Sequence, residues 1–336
     1  MHGAASHPFD HLTPQAVLDA LDAAGLRGDG RMLQLNSYEN RVFQVFLEDG
    51  QAVVSKVYRP LRWSDEQILE EQLFAAELTA AEVPVVAPLV LSHGGTLAHV
   101  QIDGQAFRHA AYPTRSGHGP ELDDPDTLRW LGRFIGRLHV VGSLRPFAVR
   151  RPLSAQTFGH AARDKLIRLE SIQEPQLSAW LAACNSALAM VEAAFAAVQP
   201  NRLRLHGDCH PGNILWRAEG PHVVDLDDAC MGPAIQDLWM LLSGTREAMA
   251  EQLSTLLSGY QQFTHFDRRE LRLLEPLRTL RMIHHSAWLA ERWSDPAFPV
   301  AFPWFGTPGY WSEQAAQLRE QIEAMAQPPL DLIGLE

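Results

Sequence analysis

The sequence predicts an α+β protein of two lobes: a five-stranded N-terminal lobe carrying one main helix, and a mostly helical C-terminal lobe. Three observations predict it. Residues 31–112 hold five short apolar runs of strand character, interrupted by a single capped helical pattern. From residue 126 onward the periodicity is mainly helical, in long amphipathic stretches. Between two such stretches, at about 203–225, short apolar runs are separated by polar turns. The expected division places residues 1–112 in the first lobe and 113–336 in the second.

The elements follow in chain order. Thr13-Pro14 opens a short helix that ends near Gly25, with proline at the first helical position, where a missing N–H costs nothing. Residues 31–36, 41–47 and 52–58 read as strands, and Glu48-Asp-Gly-Gln51 turns the chain between the last two. Ser64-Asp-Glu-Gln67 has the form of a capping box and opens a helix to about Glu82. Its apolar face is expected at Ile68, Leu69, Leu73, Phe74 and Leu78. Residues 83–89 read as extended, and 96–102 and 105–112 complete the five strands. In the second lobe a helix over 126–141 presents Leu128, Leu131, Phe134, Ile135 and Leu138 on one face. An alanine-rich amphipathic helix spans about 176–198, and helices fill about 234–326. Trp288, Trp293, Phe298, Phe302, Trp304 and Phe305 read as core and lid of that lobe.

Composition narrows the function classes. A net charge of −12 argues against a generally basic nucleic-acid-binding surface. No apolar run is expected to reach transmembrane length, and the first residues lack the basic and apolar regions of a signal peptide. Cys184, Cys209 and Cys230 are odd in number and without CxxC spacing, which fits a reducing cytoplasm rather than a disulfide framework. The expectation is a cytoplasmic monomer with neither nucleic acid nor membrane as partner. The chain has two lysines, Lys56 and Lys165, against many arginines, so each ammonium is informative. Lys56 lies in the strand-like run Val53-Val-Ser-Lys-Val-Tyr58.

The chemistry is concentrated in Leu205-His-Gly-Asp-Cys-His-Pro-Gly-Asn-Ile-Leu-Trp216 and Val223-Val-Asp-Leu-Asp227. Asp208 precedes Asn213 by five residues in a short loop, and Asp225 follows twelve residues later at the end of an apolar run. Phosphoryl transfer from ATP needs such a set: one carboxylate to orient or deprotonate the attacking hydroxyl, and an amide oxygen and a second carboxylate to hold Mg²⁺. Mg²⁺ prefers oxygen ligands and takes only one or two from protein. Asp208 is therefore the candidate base, and Asn213 and Asp225 the candidate metal ligands. Asp227 and Asp228 stay open between a second-metal or water-mediated role and turn solvation. His206, Cys209 and His210 are too crowded for a tetrahedral zinc site. GxxxxGK[ST] is absent, which removes the P-loop class.

The motif His206-Gly-Asp-Cys-His-Pro-Gly-Asn213, followed by an apolar run and an aspartate, resembles the catalytic core of the aminoglycoside phosphotransferase and choline kinase superfamily, relatives of the protein kinases. A closer resemblance runs through Leu35-Asn-Ser-Tyr-Glu-Asn-Arg-Val-Phe43, Ile68-Leu-Glu-Glu71, Asp225-Leu-Asp-Asp-Ala229, residues 232–242 and Asp295-Pro-Ala-Phe-Pro299. Those segments are similar to the bacterial stress response kinase A family of Ser/Thr protein kinases, from about residue 8 to 330. The resemblance implies a two-lobed protein-kinase-like fold with ATP and Mg²⁺ held between lobes. Asp208 and Asp225 would be catalytic, and Tyr112-Pro113-Thr114 a hinge meeting the adenine edge. Lys56 would contact the phosphates and pair with Glu71, with Glu70 as the alternative. Ser37, in the glycine-free loop Asn36-Ser-Tyr-Glu-Asn40, would cover the phosphates and offer a hydroxyl for autophosphorylation. His210 stands where many protein kinases carry lysine, and an imidazole there can donate to a phosphate. His206 and Asp237 would brace the loop. The acceptor would be a protein Ser or Thr hydroxyl; the alternatives are a small-molecule hydroxyl kinase and a nucleotide-binding module.

Overall fold

The computed structural model describes residues 8–332. In chain order the strands are β1 (Gly28–Gln34), β2 (Arg41–Leu47), β3 (Ala52–Tyr58), β4 (Ala98–Ile102), β5 (Gln105–Pro113), β6 (Leu203–Leu205), β7 (Ile214–Arg217), β8 (Gly220–Val223) and β9 (Cys230–Gly232). The helices are α1 (Pro14–Ala23), α2 (Asp65–Ala80), α3 (Pro125–Ser143), α4 (Ala161–Arg168), α5 (Gln176–Val198), α6 (Gln236–Trp239), α7 (Arg246–Tyr260), α8 (Leu274–Glu291), α9 (Ala297–Ala301) and α10 (Pro308–Ala326). The chain divides into two compact units. One takes residues up to 119 together with 214–227; the other takes 120–213 together with those from 228 on.

The first unit is built on an antiparallel sheet in the order β1-β2-β3-β5-β4. Alternation along β3 decides what each face carries. Val53 and Val57 join Phe43, Val45, Leu47, Phe107 and Ala111 in a core that α1 covers with Val17 and Leu21. Each valine, leucine and phenylalanine of this core contributes roughly 1.5–3 kcal/mol by leaving water. Tyr58 faces the other way, with Ile68 of α2, Leu97 and Ala110. The β7–β8 hairpin belongs to this unit through backbone bonds: Val223 N–H donates to Pro84 O at 3.0 Å, and Trp216 and His118 exchange bonds of 2.7 and 3.2 Å.

Helix α2 begins as the sequence predicts, with the reciprocal Ser64–Gln67 capping box formed. Its buried face differs from expectation. Leu69 and Leu73 are 44% and 48% exposed, while Ile68, Glu71, Gln72, Phe74, Ala75 and Leu78 are buried. Polar residues occupy that face because polar groups lie beneath it: Gln72 Nε2 donates to Tyr58 Oη at 3.2 Å, and Gln72 Oε1 accepts from Thr96 Oγ1 at 2.6 Å.

In the second unit α3 packs on α7 with almost no separation. A Cβ on Gly132 would sit 1.9 Å from Leu256 O, and one on Gly259 would sit 2.0 Å from Arg129 O, so only glycine permits this crossing. A π-helical turn over Ala155–His160 runs into α4, a segment the periodicity left unassigned. Helix α5 packs on α10, where Trp180 meets Trp311 edge-on at 5.9 Å. This 23-residue helix is long and apolar enough by composition to cross a membrane, which corrects the expectation that no run reaches that length. Its hydropathy comes largely from alanine, and Trp180, Ala183, Cys184, Ala187, Leu188 and Val191 form a buried stripe.

One buried histidine gives the first unit a pH dependence. His109 on β5 is fully buried, 2.9 Å from Ser55 Oγ, and burial pushes its imidazole down to about 4. A group depressed below its unfolded value of about 6.5 contributes stability above that pH and loses it as pH falls toward 4. The integrated effect is up to about 3 kcal/mol. Urea unfolding at pH 7 and 4.5 should show a smaller acid-induced loss in His109→Gln than in the parent chain; an equal loss would remove His109 from the account.

Candidate active site

The first unit assembles its charged groups around Lys56. Strand alternation points this side chain to the α2 side of the sheet, where it is 8% exposed. Its Nζ donates to Asp225 Oδ1 at 3.1 Å and to Asp227 Oδ1. Burial works against the ammonium, but the carboxylates of Asp225 and Asp227, with Tyr112 and Glu71 contributing, outweigh it and raise Lys56 well above the ordinary lysine range. It is therefore a fixed cation. Glu71, buried on α2, adds to the field at the ammonium. The ion-pair partners of Lys56 are Asp225 and Asp227 rather than the expected Glu71 or Glu70, because the β7–β8 hairpin brings those aspartates to the ammonium.

The two aspartates that follow β8 have different surroundings. The Asp225 side chain is half exposed, and its backbone lies in the left-handed region at φ 62°, uncommon for a non-glycine residue though aspartate tolerates it better than most. The Asp227 side chain is 4% exposed and is fully engaged. Besides Lys56 it accepts from Asn40 Nδ2 and lies 3.4 Å from Arg62 Nη1. That saturation leaves turn solvation without support as its role.

The loop carrying Ser37 is held by its flanks. Buried Asn40 bridges Asp227 and the Arg59 N–H, its Oδ1 accepting at 3.1 Å. Arg59 Nε donates to Glu39 O at 2.9 Å, and its Nη2 donates to Tyr38 O at 3.1 Å. Ser37 Oγ accepts from Asn40 N at 3.4 Å, so its O–H stays a donor. Side chains here do the positioning that glycine-rich loops leave to backbone.

The second unit builds its loop on Asp237. This buried carboxylate accepts from His206 N at 2.8 Å and Gly207 N at 2.9 Å, and from His139 Nε2 at 3.1 Å. Burial raises its carboxyl, but those bonds and the charge of His139 prevail and hold it below the usual range. Gly207 has φ 85°, and a Cβ there would meet Asp228 O at 2.1 Å, so this turn requires glycine.

Asp208 follows directly. Its N–H donates to His206 Nδ1 at 3.3 Å, and its carbonyl accepts from Asn213 Nδ2 at 3.0 Å. The Asn213 amide is thereby oriented with its Oδ1 free to act as a ligand. His210 Nδ1 accepts from Gly212 N at 3.0 Å, which leaves Nε2 to carry a proton, 3.5 Å from Asp208 Oδ2. Asp208 Oδ1 accepts from Arg281 Nη1 of α8. Arg281 was not foreseen; its one sequence signal is Arg281, His285 and Trp288 at helical spacing. His285 stacks on Trp288 at 5.5 Å and 22°. Trp288 meets Phe302 at 6.0 Å, and Phe302 meets the 45%-exposed Trp304 at 5.9 Å. Phe298 and Phe305 are buried as core, whereas Trp304 is exposed, so the expectation of core and lid holds for part of this set.

Lys56, Asp225, Glu71 and Ser37 thus lie in the first unit, and Asp208, His210 and Asn213 in the second. Within the described residues no group of three or more His, Cys, Asp or Glu is arranged as a metal cluster.

Comparison with known proteins identifies the family. The profile of the phosphotransferase enzyme family matches residues 32–274. Stress response kinase A of Salmonella choleraesuis is 44% identical over 324 residues, covering 96% of this chain and 97% of the relative. A protein of Salmonella typhimurium named serine/threonine protein kinase RdoA is 43% identical over the same shares. Among solved structures, an amicoumacin kinase in complex with AMP-PNP, Ca²⁺ and Ami superposes with TM-score 0.70 at 20% identity, over 94% of both chains, and so shares the fold. The chain belongs to the phosphotransferase enzyme family and, within it, to the bacterial stress response kinase A proteins.

Proposed function

We propose that this phosphotransferase is an ATP- and Mg²⁺-dependent kinase of protein Ser and Thr hydroxyls, acting in the cytoplasm in a stress response. The observation that carries the protein acceptor is the side of the second unit next to Asp208. There a guanidinium and a histidine flank the carboxylate, and an aromatic run leads out to exposed Trp304. A cationic amino alcohol or aminoglycoside needs carboxylates around its hydroxyl, whereas a basic and aromatic surface suits a polypeptide. The name of the Salmonella typhimurium relative supports the same acceptor. A small-molecule hydroxyl kinase is the second reading, favoured by the amicoumacin kinase likeness.

In this reading residues 1–112 serve the nucleotide, and 113–336 carry the catalytic loop and acceptor side. Lys56, preset by Asp227, contacts the phosphates; Ser37 donates to a phosphate oxygen, and His210 offers its Nε2–H to the transferred group. In this reading half-exposed Asp225 of the first unit and the oriented Oδ1 of Asn213 of the second would each offer an oxygen to a hard cation, which takes few protein ligands. Bound there, Mg²⁺ would neutralise phosphate charge. Asp208 orients the acceptor hydroxyl. As that oxygen bonds to Pγ, the bond from Pγ to the β–γ bridging oxygen breaks, ADP leaves, and the hydroxyl proton passes to Asp208.

Two outcomes test the assignments. Asp208→Ala and Asp225→Ala should each abolish transfer to protein in a labelled-ATP assay. Calorimetry should find Mg·ATP binding largely kept in Asp208→Ala and weakened in Asp225→Ala, because a group acting on the acceptor contributes mainly in the transition state. Equal losses of binding would overturn the division of roles. Lys56→Arg should lose at least about tenfold in turnover, roughly 1.4 kcal/mol, since a planar guanidinium does not fit a slot shaped for an ammonium. Near-parent turnover in Lys56→Arg would reduce this lysine to a structural ion pair.

A further inference from the structure

Arg281 is the feature of the second unit that the assignments above leave unused. It projects from α8 and is 41% exposed. Among the described residues its one hydrogen-bond partner is Asp208 Oδ1. A guanidinium has five N–H donors in a planar fork, so most of them remain available beside the carboxylate that orients the acceptor. Arg278, one turn earlier, is instead satisfied by both oxygens of Glu275 at 2.9 and 3.0 Å. One turn later stands exposed His285, stacked on Trp288, so the surface next to Arg281 is aromatic and imidazole rather than carboxylate.

We propose that Arg281 determines the acceptor class: it selects a hydroxyl with an acidic group beside it and disfavours one with a cation there. A carboxylate adjacent to the acceptor hydroxyl can take the free edge of the guanidinium in a two-bond, charge-assisted contact while the hydroxyl meets Asp208. An ammonium in the same place meets a like charge it cannot displace, because Arg281 is itself held by Asp208. In a protein acceptor this means a Ser or Thr with Asp or Glu next to it. That the acceptor is a polypeptide rests on the protein-kinase reading; that it is acidic rests on the geometry around Arg281 alone.

The test uses the full chain with Mg·ATP and three peptides identical except for Asp, Ala or Lys on each side of a central Ser. A small hydroxy acid and a small amino alcohol form a second arm. Binding of every acceptor is also measured by calorimetry with AMP-PNP and Mg²⁺. The Asp-flanked peptide should exceed the Ala-flanked one by about tenfold in kcat/KM, mostly through KM, as a charge-assisted pair implies. The Lys-flanked peptide should be poorer still. Arg281→Gln should bring the Asp-to-Ala ratio near one, Arg281→Lys should restore part of it, and Arg281→Glu should favour the Lys flank. Thermal melts check that each variant folds. Equal binding of the three peptides, a preference for the Lys flank or the amino alcohol, or an Asp preference that survives Arg281→Gln would each overturn the inference. Should only small acceptors be phosphorylated, with the hydroxy acid preferred through Arg281, the charge rule stands and the protein-kinase reading falls.

Discussion

Burying the ammonium of Lys56 on the α2 side of the sheet is costly unless carboxylates are buried with it. Asp225 and Asp227 meet that condition, and much of the first unit's polar architecture depends on it. The β7–β8 hairpin bonds to the extended segment at Pro84–Val86 and to His118, so both aspartates arrive where the lysine needs them. Asp227 then serves a second purpose through Asn40, which fixes the end of the Ser37 loop. One buried carboxylate thereby orders a cation on β3 and the loop after β1, and the half-exposed carboxylate two residues earlier, bonded to Lys56 through Oδ1, still presents a face to solvent.

The second unit follows the same logic with a different centre. Asp237 gathers two backbone N–H groups of the catalytic loop and His139 of α3, and is unexposed. Its neighbour Gln236 donates to Gly207 O at 2.8 Å, so both peptide groups of the turn are satisfied from α6. Asp208 is presented from a loop that has little freedom left. The side chains that touch its carboxylate, Arg281 and His210, both present N–H donors, although the whole chain is acidic.

Much of this was legible in residue order because local chemistry decides it. Ser64 and Gln67 announce a helix start through a reciprocal cap that needs no tertiary partner, and α5 matches its alanine-rich pattern from 176 to 198. Strands β2 and β3 fall where the apolar runs and the Asp49-Gly50 turn put them. What escaped depends on partners remote in sequence. Leu69 and Leu73 look like core by periodicity, but Glu71 and Gln72 take the inward face because Tyr58 and Lys56 lie beneath. Asp227 was left open because its partners at 40, 56 and 62 are more than a hundred residues away. Arg281 is one arginine among many, and only its distance to Asp208 singles it out.

The central claim is a division between two aspartates two residues apart: Asp227 belongs to the fold and Asp225 to the nucleotide. Thermal unfolding of Asp225→Asn and Asp227→Asn without nucleotide tests it most directly. Removing one partner of a buried ion pair costs about 3–5 kcal/mol, so Asp227→Asn should lower Tm by roughly 5 °C or more. Asp225→Asn, half exposed, should leave Tm within about 2 °C of the parent. Equal shifts, or a larger loss in Asp225→Asn, would contradict the account.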